Sequence, residues 1–314
     1  MILLNVDFMR GLRHGCRVLV VLCFLLPVRL FAEAEAVNES GIKVLASIKP
    51  LQLIAQAITQ GVSDTDVLLP AGTSPHDYAL KPSDLVRVYD ADLVLWLGAG
   101  HESYLAKPVV IRAGNDFAVM SFDGGRHAGQ DDGDGNHNHR EHSHLYGDPH
   151  VWLSPVEALA IAQALTNLLV QKDEVHAEQY EINLTVFSEK LRQSDERIKA
   201  QFAARNEFSY IVYHDAYSHF ERRYGLEHLA AVTGQPESKP GAKTLLDLRR
   251  AIAEGKATCL FAEPQADVDI VNILKEGNSL QVYQLDPMAT DVEATAQGYI
   301  QFLERTAKQL LQCH

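Results

Sequence analysis

The sequence predicts an α/β fold of two βα lobes, each built on a parallel four-stranded sheet, joined by one long rigid helix. Three observations support this fold class. Short apolar runs alternate with helical stretches from residue 41 onward, the same alternation restarts near residue 205, and a mostly polar stretch with helical periodicity separates the two series. Strands that alternate with helices along a chain form parallel sheets covered by helices.

The first series predicts the N-terminal lobe. Its four candidate strands are short apolar runs bounded by turn residues: IKVLASI, DVLLP, DLVLWLG and FAVMSF. Two stretches between them have the spacing of helices: PLQLIAQAIT and KPSDLVRVYD. In the second stretch, Ser83 or Asp84 lies near the predicted start of the helix.

Two long helices should follow the first series. The run SPVEALAIAQALTNLLVQ has Ser154 as a candidate N-cap and Pro155 at the first helical position. The next predicted helix covers residues 173–204, and its apolar stripe consists of Tyr180, Leu184, Phe187, Leu191, Ile198 and Phe202. About 30 residues at about 1.5 Å each span about 45 Å, which is enough to run the length of a two-lobe molecule.

The second series predicts the C-terminal lobe. Its candidate strands are FSYIVYH, LEHLAAV, ATCLFAE and LQVYQLD. Its candidate helices are AYSHFERRYG, TLLDLRRAIAEG, DVDIVNILKEG and a terminal helix. The predicted domains are therefore a leader at 1–34, an N-terminal lobe at 35–172, a linking helix at 173–204 and a C-terminal lobe at 205–314.

The leader is typical of a cleaved secretory signal peptide. Arg10, Arg13 and Arg17 precede the apolar run VLVVLCFLLPV, and the small-residue pattern AEAEA follows it. The alternative, a membrane anchor, needs about 20 apolar residues. The formal net charge of −13 argues against nucleic acid as a partner, because the chain has no basic surface to displace phosphate counterions.

Two cysteines should remain after export and form a disulfide. Cys16 and Cys23 would leave with the signal peptide, so Cys259 and Cys313 remain in the mature chain. Two cysteines in an exported protein are expected to form a disulfide, which would join the C-terminal helix to the strand TCLFAE. The alternative is a pair of buried free thiols.

Four residues that can bind a metal ion lie near predicted strand ends or helix starts. They are His76 after DVLLPAGTSP, His150 in GDPHVWLSP, His214 at the end of FSYIVYH, and Asp286 at the end of LQVYQLD. Open α/β sheets bind ligands beyond the carboxyl ends of their strands. Each lobe supplies two of the four, so a shared metal would lie in the cleft between the lobes. Three neutral imidazoles with a carboxylate or water form a good zinc site, although each histidine alone is more simply a capping or surface residue.

Five motifs, in this order, resemble the metal-specific solute-binding proteins of bacterial ABC transporters, and most closely their zinc (ZnuA-like) type. The motifs are SPHDYALKPSD, DPHVWLSP, YHDAYSHFERRYGL, FAEPQ and LDPMATD, and the resemblance covers roughly residues 41–314. It implies a periplasmic, non-enzymatic protein that captures Zn²⁺ and delivers it to an inner-membrane permease with a cytoplasmic ATPase. We expect it to act as a monomer.

The resemblance also assigns roles to individual residues. It matches His76, His150 and His214 to three zinc-ligand histidines, and Asp286 to a position that supplies a fourth ligand in some members. His214 stands where manganese-selective relatives carry Glu, which favours zinc. Cys259 and Cys313 resemble a disulfide of the C-terminal lobe in some members. Two carboxylates near strand ends are candidates for orienting an imidazole: Glu102 and Glu263.

The segment 123–147 contains the histidine-rich run HAGQDDGDGNHNHREHSH and resembles the insertion of the zinc type. Its composition predicts a solvated, mobile loop. Because six glycines leave its imidazoles without preorganisation, we expect only weaker, auxiliary metal sites there. The expected main ligands are His137, His139, His142 and His144. The alternative is a solvated insertion without a role in uptake.

Other functions remain as alternatives at this point. A relative of this kind can instead bind manganese or another divalent metal, or act as a metal-dependent adhesin. Three histidines and an open position also resemble the site of an exported zinc hydrolase. The sequence contains no H-E-x-x-H motif, which makes the hydrolase the least favoured of these alternatives.

Overall fold

The computed structural model describes residues 41–313, except 113, 123–146 and 206–207. The predicted signal peptide and the four auxiliary histidines therefore lie outside the described residues. Within the described part, two parallel four-stranded sheets and one long helix confirm the predicted fold class. No helix among these residues is both long enough and apolar enough to cross a membrane. The predicted domain boundaries stay a prediction.

The N-terminal sheet has the strand order β2-β1-β3-β4, with every neighbouring pair parallel. Its strands are β1 (Val44–Ala46), β2 (Thr65–Val67), β3 (Leu93–Trp96) and β4 (Asp116–Ala118). Its helices are α1 (Lys49–Thr59), α2 (Pro82–Asp90), α3 (Ser103–Val110) and α4 (Val119–Phe122). The central strands β1 and β3 are buried along their whole length, as expected for strands with helices on both faces.

Two details of this lobe differ from the prediction. The run FAVMSF does not form one strand, because β4 ends at Ala118 and the remaining residues form the short helix α4. Helix α3 was not predicted. Pro108 lies inside it, and proline is usually a helix breaker, so the local sequence conceals this helix.

Two long helices connect the lobes. Helix α5 (Pro155–Lys172) begins as predicted, since the Ser154 hydroxyl accepts a hydrogen bond from the Glu157 amide. A single 3-10 turn (Glu174–His176) then leads into α6 (Ala177–Ala203), whose 27 residues correspond to about 40 Å. The residues of α6 that are buried follow the predicted stripe, with Ser194 and Asp195 added: Tyr180, Phe187, Leu191, Ser194, Asp195, Ile198 and Phe202.

The C-terminal sheet repeats the plan of the first with the order β6-β5-β7-β8, again all parallel. Its strands are β5 (Tyr210–His214), β6 (Ala230–Thr233), β7 (Cys259–Ala262) and β8 (Gln281–Gln284). Its helices are α7 (Ser218–Tyr224), α8 (Ala242–Ala253), α9 (Val268–Lys275) and α10 (Gly298–Leu310). In such an order the connections diverge between β5 and β7, which creates a crevice at their carboxyl ends.

The lobes share a continuous apolar core, to which both sheets and the helices α1, α5, α6 and α10 contribute. Helix α10 follows the C-terminal sheet in sequence but packs against α1 and α6. Gly298 permits this approach, because a Cβ there would lie 2.8 Å from Leu53 Cδ2 and 2.5 Å from the Glu293 carbonyl oxygen. A core that runs through both lobes opposes wide hinge motion between them.

The predicted disulfide is present. Cys259 in β7 is bonded to Cys313, just beyond the end of α10, and both side chains are fully buried. This excludes the alternative of two free thiols. The bond ties the terminal helix, which packs on the N-terminal lobe, to a central strand of the C-terminal sheet.

Candidate metal centre

His214 is the last residue of β5 and lies at the crevice of the C-terminal sheet. Its side chain is almost fully buried, and neither ring nitrogen makes a hydrogen bond with the described residues. Its Nδ1 atom is 3.2 Å from Oε1 of Glu263, which follows the adjacent central strand β7. Buried polar atoms are normally hydrogen bonded, so an imidazole left in this state is suited to bind a ligand.

His76 lies in a 3-10 turn (Pro75–Asp77) on the loop after β2. The Ser74 hydroxyl accepts a hydrogen bond from the His76 amide and begins this turn. Burial, followed by the neighbouring imidazoles of His150 and His214, lowers the pKa of His76 to about 3. Its ring is therefore neutral at physiological pH and can offer a lone pair to a metal.

His150 directly precedes a 3-10 turn (Val151–Leu153) that leads into α5. Its Nδ1 atom is 2.7 Å from Oδ1 of Asp148, and its amide donates to the same oxygen at 3.0 Å. Burial raises the pKa of Asp148, but the hydrogen bond and charge of His150 outweigh this and lower it to about 2. An ionised carboxylate on Nδ1 fixes the tautomer of the ring and leaves Nε2 available for a metal.

The structure brings these three histidines together from both lobes. One ligand atom from each of His76, His150 and His214 lies within 4.8 Å of the other two. The ring centroids are 4.9 Å to 5.8 Å apart. Zinc takes imidazole nitrogens at about 2.0–2.1 Å, so a small inward movement would close the three rings on one ion.

Asp286 is not among the three residues whose ligand atoms converge, and its role as a fourth ligand stays a prediction. Its two carboxylate oxygens accept hydrogen bonds from the backbone amides of Met288 and Thr290, at 2.9 Å and 2.6 Å. These hydrogen bonds stabilise the loop after β8. An aspartate at a strand end can cap its own turn, and the sequence does not distinguish the two roles.

Glu102 and Glu263 differ in their contacts. Glu263 is buried, lies next to His214 as described, and has the Tyr217 hydroxyl 3.5 Å from its Oε1. Glu102 instead accepts hydrogen bonds from the Leu97 amide at 2.5 Å and the Tyr104 hydroxyl at 3.0 Å. These bonds hold the end of β3, and none of them joins Glu102 to an imidazole.

Asp148 contacts a candidate ligand, and the sequence analysis did not single it out. Its signal is local, because an aspartate two residues before a histidine, with proline between them, can fold back onto the ring. His219 is buried, and its ring contacts Asp148 from the opposite lobe.

The small pocket at the three histidines lies between the lobes. It is lined by Ser74, Pro75, His76, His150, Trp152, His214, Pro236, Glu263, Gln265, Pro287 and Met288. Two further hydrogen bonds cross the lobes beside it: Trp152 Nε1 donates to the Pro287 carbonyl at 2.8 Å, and Gln265 donates to the Gly72 carbonyl at 2.9 Å. Its walls are mostly apolar around a few polar groups, as in other small-ligand sites.

The comparison with known families agrees with this geometry. The family described as ZnuA, zinc-uptake complex component A, periplasmic, matches residues 44–313. The chain belongs to the ZnuA family.

Relatives in this family match over most of their length. The high-affinity zinc uptake system protein ZnuA of Haemophilus ducreyi is 40% identical, covering 86% of this chain and 92% of the relative. The protein of the same name from Yersinia pestis is 34% identical, covering 89% of this chain and 93% of the relative. A ZnuA crystal structure has a TM-score of 0.71 at 22% identity, covering 87% of this chain and 99% of that one, which shows a shared fold.

Proposed function

We propose that this ZnuA-family chain is the zinc-binding component of an ABC uptake transporter. It captures Zn²⁺ in the periplasm and delivers it to an inner-membrane permease driven by a cytoplasmic ATPase. The observation that carries the proposal is the convergence of three imidazoles, from both lobes, on one point of the cleft. Relatives that are 34% and 40% identical are named as zinc uptake proteins, which supports the same assignment.

The donor set favours zinc over harder cations. In the proposed site His76, His150 and His214 supply three nitrogen ligands, and imidazole suits zinc better than it suits magnesium or calcium, which prefer oxygen. We propose that the fourth position takes water, since the Asp286 oxygens are engaged by backbone amides. A carboxylate in place of one histidine would make the set better suited to manganese.

The shared core and the hydrogen bonds across the cleft support binding with small rearrangements. We propose that the monomer exposes the ion by local movement around the histidines rather than by wide opening of the lobes. The relatives are named as components of zinc uptake systems, and we propose that this chain is likewise a binding protein rather than an enzyme. The zinc ion is then the transported substrate, which the protein releases to the permease.

The ligand assignment is tested by zinc titration against a competing chromophoric chelator. His76→Ala and His214→Ala should each abolish tight binding of one equivalent, because each leaves only two nitrogen ligands. His176→Ala is the matched control, since this histidine lies at the start of α6 and contacts Asp173. Tight zinc binding by both the His76 and His214 variants would contradict the assignment.

The histidine-rich segment is tested separately, because its histidines lie outside the described residues. A chain lacking residues 123–147 should keep one tight zinc site and lose only weaker equivalents. Loss of all zinc binding on deletion would reverse the proposed ranking of the two regions. Metal content measured by mass spectrometry on the intact and shortened chains decides between these results.

A further inference from the structure

His219 reaches across the cleft from the C-terminal lobe. It lies in the first turn of α7, and only 5% of its surface is exposed. Its Nε2 atom is 3.1 Å from the backbone carbonyl oxygen of Asp148, which belongs to the N-terminal lobe. A carbonyl oxygen can only accept a hydrogen bond, so Nε2 carries the proton and donates it. The same nitrogen is 3.5 Å from Asp148 Oδ2.

Asp148 therefore lies between His219 and a proposed zinc ligand. Its other carboxylate oxygen, Oδ1, accepts from both the amide and Nδ1 of His150. One residue thus receives a hydrogen bond from the C-terminal lobe and orients an imidazole of the N-terminal lobe. Any movement of Asp148 displaces the ring that it holds.

The same short segment of the C-terminal lobe also carries His214. Because β5 ends at His214 and α7 begins at Ser218, a few residues supply both a ligand and the contact with Asp148. The contact of α7 with Asp148 therefore links the segment that carries His214 to the residue that orients His150. Their centroids are 4.9 Å apart.

We propose that His219 is a positioning residue for zinc capture. His219 contacts Asp148 from the opposite lobe, and this contact involves no metal. Through it, His219 holds the His150 imidazole in the tautomer and position that metal binding requires. This inference rests on the proposed function, since it concerns the same site. Loss of contacts that orient metal ligands typically weakens metal affinity about 10-fold to 100-fold.

Two variants separate the hydrogen bond from simple packing. His219→Phe fills the buried space with an aromatic ring but has no donor for Asp148. His219→Gln packs less well but places an amide N–H near the position of Nε2. If the hydrogen bond matters, zinc affinity should fall about 10-fold to 100-fold in the Phe variant and stay within a few-fold of wild type in the Gln variant. If only packing matters, the order reverses.

The test measures zinc dissociation constants of the full chain and both variants by chelator competition. It also measures ¹⁵N imidazole shifts of His150 in the metal-free proteins, which report its tautomer. We expect one Nδ1–H tautomer in wild type and the Gln variant, and a mixture in the Phe variant. Wild-type affinity with an unchanged tautomer in the Phe variant would overturn the inference, as would equal losses in both variants.

The two proposals fail in distinguishable ways. If the wild-type chain binds no zinc tightly, the proposed function is wrong, while the tautomer of His150 still tests the role of His219. If wild type binds zinc and His219→Phe binds it equally well, only the positioning role is wrong. Thermal unfolding of the metal-free proteins is recorded in parallel. A lower affinity that merely follows lower stability in both variants counts against the inference.

Discussion

Replacing the buried Glu102 by glutamine should stabilise the protein above neutral pH and change little at acid pH. Glu102 is fully buried, and burial raises its pKa from 4.5 to about 7, although the Leu97 amide and the Tyr104 hydroxyl act in the opposite direction. A carboxyl with a raised folded-state pKa is best accommodated when protonated. Its contribution to stability is therefore complete below about pH 4.5 and is lost as the pH rises through about 7.

The magnitude follows from the two pKa values. A difference of about 2.5 pH units at about 1.36 kcal/mol each corresponds to about 3 kcal/mol of unfolding free energy. Glutamine resembles the protonated acid in shape and keeps one oxygen for the Leu97 amide, so it should avoid this loss. The unfolding free energy of the Glu102→Gln variant, relative to that of wild type, should then increase by about 3 kcal/mol between pH 4.5 and pH 8.

Urea unfolding followed by circular dichroism, in chelator and at several pH values, measures this difference. Subtracting the unfolding free energy of wild type from that of the variant cancels the titration of all other groups. Glu181→Gln on the exposed surface of α6 is the matched control for the exchange of a carboxylate for an amide. A difference for Glu102→Gln that does not change with pH would refute the reasoning that the buried carboxyl titrates on folding.

Three further changes have definite expected effects on stability, each measured by urea unfolding. Cys259→Ala should cost about 4 kcal/mol, because the bond to Cys313 closes a loop with a sequence separation of 54, and a loss below 1 kcal/mol would contradict this. Ala289→Gly should raise the free energy of unfolding by about 1 kcal/mol, because Ala289 has a φ of 54°, where a Cβ is unfavourable. A lower free energy of unfolding in this variant would contradict the expectation. Trp152→Phe should cost about 1–3 kcal/mol by leaving the buried Pro287 carbonyl without its donor, and an unchanged free energy would show that water replaces it.

The fold class follows from features that are local in the sequence. The apolar runs and helical stripes report directly which faces are buried, so the strands of both sheets and α6 were predicted in the right order, with bounds that differ by a few residues. Helix α3 escaped prediction because Pro108 opposes the local signal, and packing in the lobe overrides it.

By itself, the sequence determined the two-lobe plan, the cysteine pairing and the choice of histidines 76, 150 and 214 as candidate metal ligands. Each of these depends on residue type and on position beside a strand or helix end, and both can be read from the sequence. Only the tertiary structure decided which carboxylates contact these histidines. Asp286 accepts hydrogen bonds from backbone amides of its own loop, whereas Asp148 contacts His150 and, from the other lobe, His219. A carboxylate can cap a turn or hold an imidazole equally well, so the choice depends on which partner the folded chain brings within hydrogen-bonding distance.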